Sequence, residues 1–131
     1  MAKVPLLVDT DIFIDYFNAG LLRAVLESDE FEIYYSVVTK KELLSKPGLK
    51  ASEREAILAT LKRYRIIPLA ERIAAAYSDL RRKHASLEKE DALIAATAIV
   101  RGLPLVTRNW KHYKGVEGLT LFRGGSSENR R

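Results

Sequence analysis

The chain has no cysteine. That excludes disulfides, zinc–thiolate sites, iron–sulfur clusters and a cysteine nucleophile, and it is compatible with a reducing compartment. Histidine is scarce. His84 and His112 stand far apart and belong to no ligand or acid–base motif, so RNA cleavage run by a histidine pair lacks support. His84 is expected at a helix interface and His112 on the surface. Long apolar runs are missing as well. The longest, Ala92 to Val100, is interrupted by Thr97 and stopped by Arg101-Gly102, far short of a membrane span. The apolar run after Met1-Ala2-Lys3 meets Asp9 too early for a signal peptide. A cytoplasmic location without membrane association is the expectation, and neither repeat nor linker divides the chain.

What is present describes one ordinary domain. The 131 residues are 47% hydrophobic and 30% charged, enough for a single core and too apolar for disorder. A net charge of +5 leans toward an anionic partner such as nucleic acid, although the same excess also serves solubility. Val4 to Val8 reads as a buried parallel strand, with Pro5 near its start where a missing N–H is tolerable. Thr10 and Asp11 then cap a helix that Asn18-Ala19-Gly20 breaks, and a second helix covers Leu21 to Leu26. Phe31 to Tyr35 forms the next strand, and Ser36 opens a helix closed by Pro47-Gly48. Ser52-Glu53-Arg54-Glu55 has a capping-box pattern, Ile66-Ile67 a short strand, and Ile73, Tyr77, Leu80 and His84 a helical stripe. Ala92 to Val100 is apolar nearly all round and so packs on several sides. Leu105-Val106 and Thr120 to Phe122 complete the strands. This alternation predicts a three-layer α/β/α sandwich around a mostly parallel sheet. The domain is expected over residues 1–123, with a frayed polar tail at 124–131.

Four segments deliver acidic or amide residues to strand or helix ends: Leu6-Leu7-Val8-Asp9-Thr10-Asp11, Thr39-Lys40-Lys41-Glu42, Glu90-Asp91-Ala92-Leu93 and Val106-Thr107-Arg108-Asn109. Each has an ordinary use. Asp9 or Asp11 suits a helix cap, Glu42 completes a Thr39-x-x-Glu42 capping box, Asp91 favours the positive end of a helix, and Asn109 suits a turn. Asp9 is the hardest to explain that way, because it ends a buried strand at the rim where open α/β folds place their chemistry. If Glu42, Asp91 and Asn109 reach the same rim, close carboxylates repel by about 4 kcal/mol per pair at an effective dielectric near 20. A divalent cation relieves that, and oxygen-only ligands select Mg²⁺ or Mn²⁺ over zinc or copper. Arg108, Lys111 and the helix end Arg81-Arg82-Lys83 are candidates for flanking phosphates.

The order Leu7-Val8-Asp9-Thr10, Glu42-Leu43-Leu44, Asp91-Ala92-Leu93-Ile94-Ala95-Ala96-Thr97-Ala98 and Gly102-Leu103-Pro104-Leu105-Val106-Thr107-Arg108-Asn109 resembles the PIN-domain nucleases, and within them the VapC toxins of prokaryotic toxin–antitoxin pairs. The resemblance runs from Val4 to Phe122. It implies a sheet of order 3-2-1-4-5, an acidic cleft at its C-terminal edge, and Mg²⁺- or Mn²⁺-dependent endoribonuclease activity leaving 5′-phosphate and 3′-hydroxyl ends. By that resemblance Asp9, Glu42 and Asp91 match the metal-site acids. Asn109 matches a fourth position that is often Asp, and Thr10 and Thr107 match hydroxyl residues beside the site, expected with Arg108 and Lys111 to contact RNA. Asn109 carries no charge, and His112 stands where many members have another Asp, so one ion is expected rather than two. The resemblance also implies a homodimer inhibited by a small VapB-like antitoxin. The apolar residues Ile12, Phe13, Phe17, Leu21 and Leu22 fit such a surface, being more than a small domain easily buries.

Two other readings compete. Val8-Asp9-Thr10-Asp11 also resembles the Asp-x-Asp nucleophile motif of haloacid-dehalogenase-type phosphatases, but Ile12-Phe13 follows it rather than Gly-Thr, and the chain is short for that fold with a cap. A PIN-like domain that binds RNA or protein without cutting is the second, kept open by Asn109.

Overall fold

The computed structural model describes residues 2–123; the expected tail at 124–131 lies outside them. In chain order the elements are β1 (Val4–Val8), α1 (Thr10–Ala19), α2 (Arg23–Leu26), β2 (Phe31–Ser36), α3 (Val37–Leu44), α4 (Ala51–Leu61), β3 (Arg65–Ile67), α5 (Glu71–Lys83), α6 (Lys89–Arg101), β4 (Leu105–Val106) and α7 (Trp110–Tyr113). The strands form one parallel sheet in the order β3-β2-β1-β4.

The layers follow from side-chain alternation. Successive residues of a strand face opposite sides, so Leu6 and Val8 enter one core while Leu7 enters the other. The first core joins Leu6 and Val8 to Ile12, Phe13, Leu43, Ile57 and Leu61, which come from α1, α3 and α4. The second joins Leu7 to Ile73, Leu80, Ile94 and Tyr113 from α5, α6 and α7. Handedness explains which helices go where. Right-handed crossovers from β1 to β2 and from β2 to β3 put α1 to α4 on one face. The connection from β3 back across the sheet to β4 reverses direction and so puts α5 and α6 on the other. Ala92, Ala95, Ala96 and Ala98 of α6 are all buried; side chains that small let the helix backbone lie close on the sheet.

The reversal creates a switch point between β1 and β4, where their C-terminal ends part and leave a crevice. Asp9 follows β1 and Thr107 follows β4, so the topology itself delivers both residues there.

Several local expectations are corrected. The cap of α1 is Asp9, whose carboxylate accepts from the Thr10 N–H, and not Thr10 or Asp11, both of which lie inside the helix. Leu21 and Leu22 are not helical; Leu22 has φ 62° and only α2 follows it. The cap of α4 is Lys50, and Glu53 reaches back to its N–H at 2.9 Å, so the box begins two residues before Ser52. Thr120 to Phe122 makes one parallel bridge, Leu105 to Leu121, instead of a strand. It still occupies the fifth position, with Leu105 N–H on Thr120 O and Phe122 N–H on Leu105 O, both at 2.8 Å. Ile12 and Phe13 are core residues, Phe17 and Leu22 pack partly against that core, and of the five apolar residues read as surface only Leu21 is more than half exposed, at 52%. Among the described residues no helix is long and apolar enough to cross a membrane.

The two sides of the sheet make a stability prediction. Leu7→Ala removes a fully buried side chain and is expected to cost about 2–5 kcal/mol. Ile66→Ala on edge strand β3, where the side chain is 42% exposed, is expected to cost about 1 kcal/mol or less. Urea unfolding of both variants checks the assignment, and similar losses would contradict it.

Candidate active site

Asp9 is almost completely buried, with 2% of its surface exposed. One carboxylate oxygen accepts from the Thr10 N–H at 2.8 Å; the other accepts from the Thr107 hydroxyl at 2.7 Å and lies 3.5 Å from the Tyr113 hydroxyl. All three partners are neutral. Burial pushes the Asp9 pKa up to about 6, against the lowering effect of the Thr107 and Thr10 donors, and the negative charges of Asp11 and Asp91 push it further the same way.

Glu42 arrives from α3. Ser36 caps that helix by accepting from the Val38 N–H, which places Thr39 and Glu42 within it and sets aside the Thr39-x-x-Glu42 capping box. The Thr10 hydroxyl donates to Glu42 Oε1 at 2.9 Å and lies 2.8 Å from the Thr39 hydroxyl. Since Thr10 has one proton to give, a consistent chain runs from Thr39 to Thr10 to Glu42. Burial raises the Glu42 pKa, the Thr10 bond opposes the rise, and Glu90, Asp11 and Asp91 add to it.

Asp91 occupies the first turn of α6, where the helix dipole favours a carboxylate. The Tyr113 hydroxyl meets its Oδ1 at 3.2 Å and His112 Nδ1 lies 3.3 Å from its Oδ2. Burial and the charges of Asp9 and Asp91 hold the Tyr113 hydroxyl far above the usual tyrosine range, so it stays protonated and donates.

The four expected residues therefore come together, but Asn109 differs from a fourth carboxylate. Its side-chain amide donates to Asp11, and its backbone N–H reaches the Thr107 hydroxyl at 3.0 Å. It partners an acid rather than adding one. Thr10 and Thr107, expected beside RNA, are instead buried and hold carboxylates. Arg108 is exposed and paired with Asp15 at 3.0 Å, and Lys111 is exposed. At the end of α5, Arg82 and Lys83 pair with Asp79, and Arg81 bonds the Leu87 carbonyl. That is helix-end chemistry.

Five residues of the site were not among the candidate ligands read from sequence. Asp11 and Glu90 carried a signal, since each lies within two positions of a candidate acid. His112 was expected on the surface, at a place where many family members have Asp; it is exposed, and its ring turns onto Asp91. Thr39 was read only as part of a capping box, and Tyr113 gave no signal, because a tyrosine in a four-residue helix reads as packing.

Asp9 thus feels the charge of Asp11 and Asp91, and Glu42 that of Glu90, Asp11 and Asp91. Among the described residues no three acidic or imidazole side chains stand as a finished ligand set; Glu42 is turned to Thr10, and Asp91 to α7. The chemistry of the donors nevertheless fits a hard divalent cation. Oxygen ligands dominate, the central carboxylate has only neutral partners, and Mg²⁺ keeps several waters and needs few direct carboxylates.

Comparison with known proteins agrees with this arrangement. A family model described as "PIN domain" matches residues 6–117. Ribonuclease VapC10 of Mycobacterium tuberculosis is 34% identical over 122 residues, covering 87% of this chain and 90% of that protein. Ribonuclease VapC1 of Methanocaldococcus jannaschii is 30% identical over 124 residues, covering 89% and 86%. A toxin–antitoxin complex from Klebsiella pneumoniae contains a chain that superposes with a TM-score of 0.70 at 30% identity, over 88% of this chain and 95% of that one. VapBC2 from Rickettsia felis, bound to a promoter DNA fragment, gives 0.74 at 21% identity over 91% and 98%, a likeness of fold. The acidic crevice at the β1/β4 switch point and these matches lead to one assignment: the chain belongs to the PIN-domain family, among its VapC-type members.

Proposed function

We propose that this protein is a Mg²⁺- or Mn²⁺-dependent endoribonuclease, the toxin of a cytoplasmic toxin–antitoxin pair. The observation that carries the metal-dependent part is Asp9: a carboxylate buried among neutral donors and facing other acids. The ribonuclease part draws on the VapC relatives. Membership of the PIN family also replaces the phosphatase reading of the Asp9-Thr10-Asp11 motif.

In this reading Asp9 and Asp91 would hold the cation, with Glu42 beside them and not fully committed to it. When bound, the ion supplies Lewis-acid activation of water and neutralises charge developing on the phosphate. The protein's own groups do the rest. Glu42, aimed by Thr10 and made more basic by burial, accepts a proton from the attacking water. Asn109 keeps Asp11 oriented by donating to it. Arg108 and Lys111, exposed beyond β4, contact flanking phosphates and set register without reading bases.

A partner surface adjoins the acids. Ile14, Phe17, Leu43, Leu49 and Ile57 line a groove among α1, α3 and α4 that reaches Glu42. It suits an amphipathic antitoxin segment that places a basic side chain against the carboxylates. A homodimer of the toxin belongs to the same reading.

RNA cleavage is expected to stop with EDTA, to return with Mg²⁺ or Mn²⁺, and to leave 5′-phosphate and 3′-hydroxyl ends. Asp9→Asn and Asp91→Asn are expected to abolish it while remaining folded. Full activity in both variants, or 2′,3′-cyclic phosphate ends formed in EDTA, would contradict the mechanism.

The same carboxylate makes a pH prediction for the metal-free protein. The folded state holds the Asp9 proton with a pKa of about 6 against an ordinary 3.8. Ionisation therefore opposes folding: the penalty is absent below the lower value, grows through the interval and is complete above the higher one. Asp9→Asn is expected to gain about 1–3 kcal/mol over wild type at pH 7 and to lose that advantage near pH 4. Melting curves at the two pH values check it, and a constant difference would show that the charge is not the cause.

A further inference from the structure

Tyr113 is a core residue whose hydroxyl belongs to the site. Its ring is 2% exposed and packs in the core formed with α5 and α6, while its oxygen lies 3.2 Å from Asp91 Oδ1 and 3.5 Å from Asp9 Oδ2. Thr107 reaches Asp9, and His112 reaches Asp91. Among the described residues, the Tyr113 hydroxyl is the one donor within hydrogen-bond distance of both acids.

The helix that carries it is anchored to the same site. The Trp110 indole N–H donates to Thr107 O at 2.8 Å, the Asn109 N–H to the Thr107 hydroxyl at 3.0 Å, and the His112 N–H to Asn109 O at 3.0 Å. Thr107, which holds Asp9, therefore also sets where α7 begins. Neighbouring residues of that one helix, His112 and Tyr113, engage the two oxygens of Asp91. A buried ring cannot wander, so the hydroxyl has a fixed origin. One proton cannot be donated fully to two acceptors, and the shorter distance assigns it to Asp91.

We propose that Tyr113 is a positioning residue for cation binding: its hydroxyl fixes the Asp91 carboxylate and holds it in register with Asp9. The inference rests on the metal-dependent reading above. Outer partners of ligating carboxylates orient them, and losing one typically weakens metal binding by about 10–100-fold. Tyr113→Phe deletes the hydroxyl and keeps the ring that packs the core. Tyr64→Phe is the matched control, because it deletes a hydroxyl that donates to Leu26 O at 2.9 Å, before β3 at the opposite edge of the sheet.

The test is calorimetric titration of Mn²⁺ into the metal-free full-length protein without RNA. Wild type and Tyr64→Phe are expected to bind alike, and Tyr113→Phe about tenfold more weakly. A second measurement uses wild type carrying ¹³Cζ-tyrosine. Mg²⁺ is expected to shift one buried signal among the six tyrosines, as the acceptor of its hydroxyl becomes a ligand. Unchanged or tighter binding by Tyr113→Phe, an equal loss in Tyr64→Phe, or no tyrosine shift would overturn the positioning role. Wild type that binds neither ion contradicts the metal-dependent reading itself, and this inference with it; binding that Tyr113→Phe leaves intact contradicts the role of the hydroxyl alone.

Discussion

Burial of one ionisable carboxylate organises this molecule. Asp9 caps α1, follows β1 and sits at the sheet's switch point, and the groups that bond it among the described residues are all neutral. A buried carboxylate needs hydrogen bonds or a counter-charge. Here Thr10 and Thr107 supply the bonds, and the Tyr113 hydroxyl stands 3.5 Å away. These groups come from α1, the end of β4 and α7, so three separated parts of the chain converge around one side chain. Neighbouring acids make the arrangement costlier, which is sensible for a site built to receive positive charge and wasteful for a purely structural cap.

The remaining architecture serves that placement. A parallel sheet with helices on both faces brings the ends of β1 and β4 side by side only because the crossover reverses between them. Small residues along α6 let its first turn, and hence Asp91, approach the same edge. On α3, Ser36 takes the capping work and leaves Glu42 available inside the helix. Thr39 and Thr10 then fix its direction. The hydroxyls of Thr107 and Thr10 aim Asp9 and Glu42, while Tyr113 and His112 meet Asp91.

The sheet and its two-sided cover were legible from the chain because β1 is a continuous apolar run and α6 is apolar nearly all round. Asp9 and Asp91 were legible because strand ends and helix starts announce themselves, whereas Glu42, deep in α3, was picked out by the family resemblance and its capping-box reading failed. Short elements were harder. The four residues of α7 show no periodic stripe, so neither the helix nor Tyr113's dual role had a pattern to reveal it. Leu22's left-handed backbone, which glycine would have signalled, hid the break before α2. The single bridge at Leu121 looked like a strand because three β-prone residues do not show how far pairing extends. Asn109 was recognised as a site residue, yet its actual partner, Asp11, depends on a contact across 98 positions that no local rule anticipates.

On the proposed metal-dependent function, Asp9 gives up a proton when a cation binds. Calorimetry of Mn²⁺ binding in buffers of different ionisation enthalpy counts that proton directly. With its pKa at about 6, Asp9 is half protonated at pH 6, so binding there is expected to release about half a proton from it. The release is expected to fade by pH 8 and to be missing in Asp9→Asn. Binding that releases no proton at pH 6, or the same number in Asp9→Asn, would contradict the account.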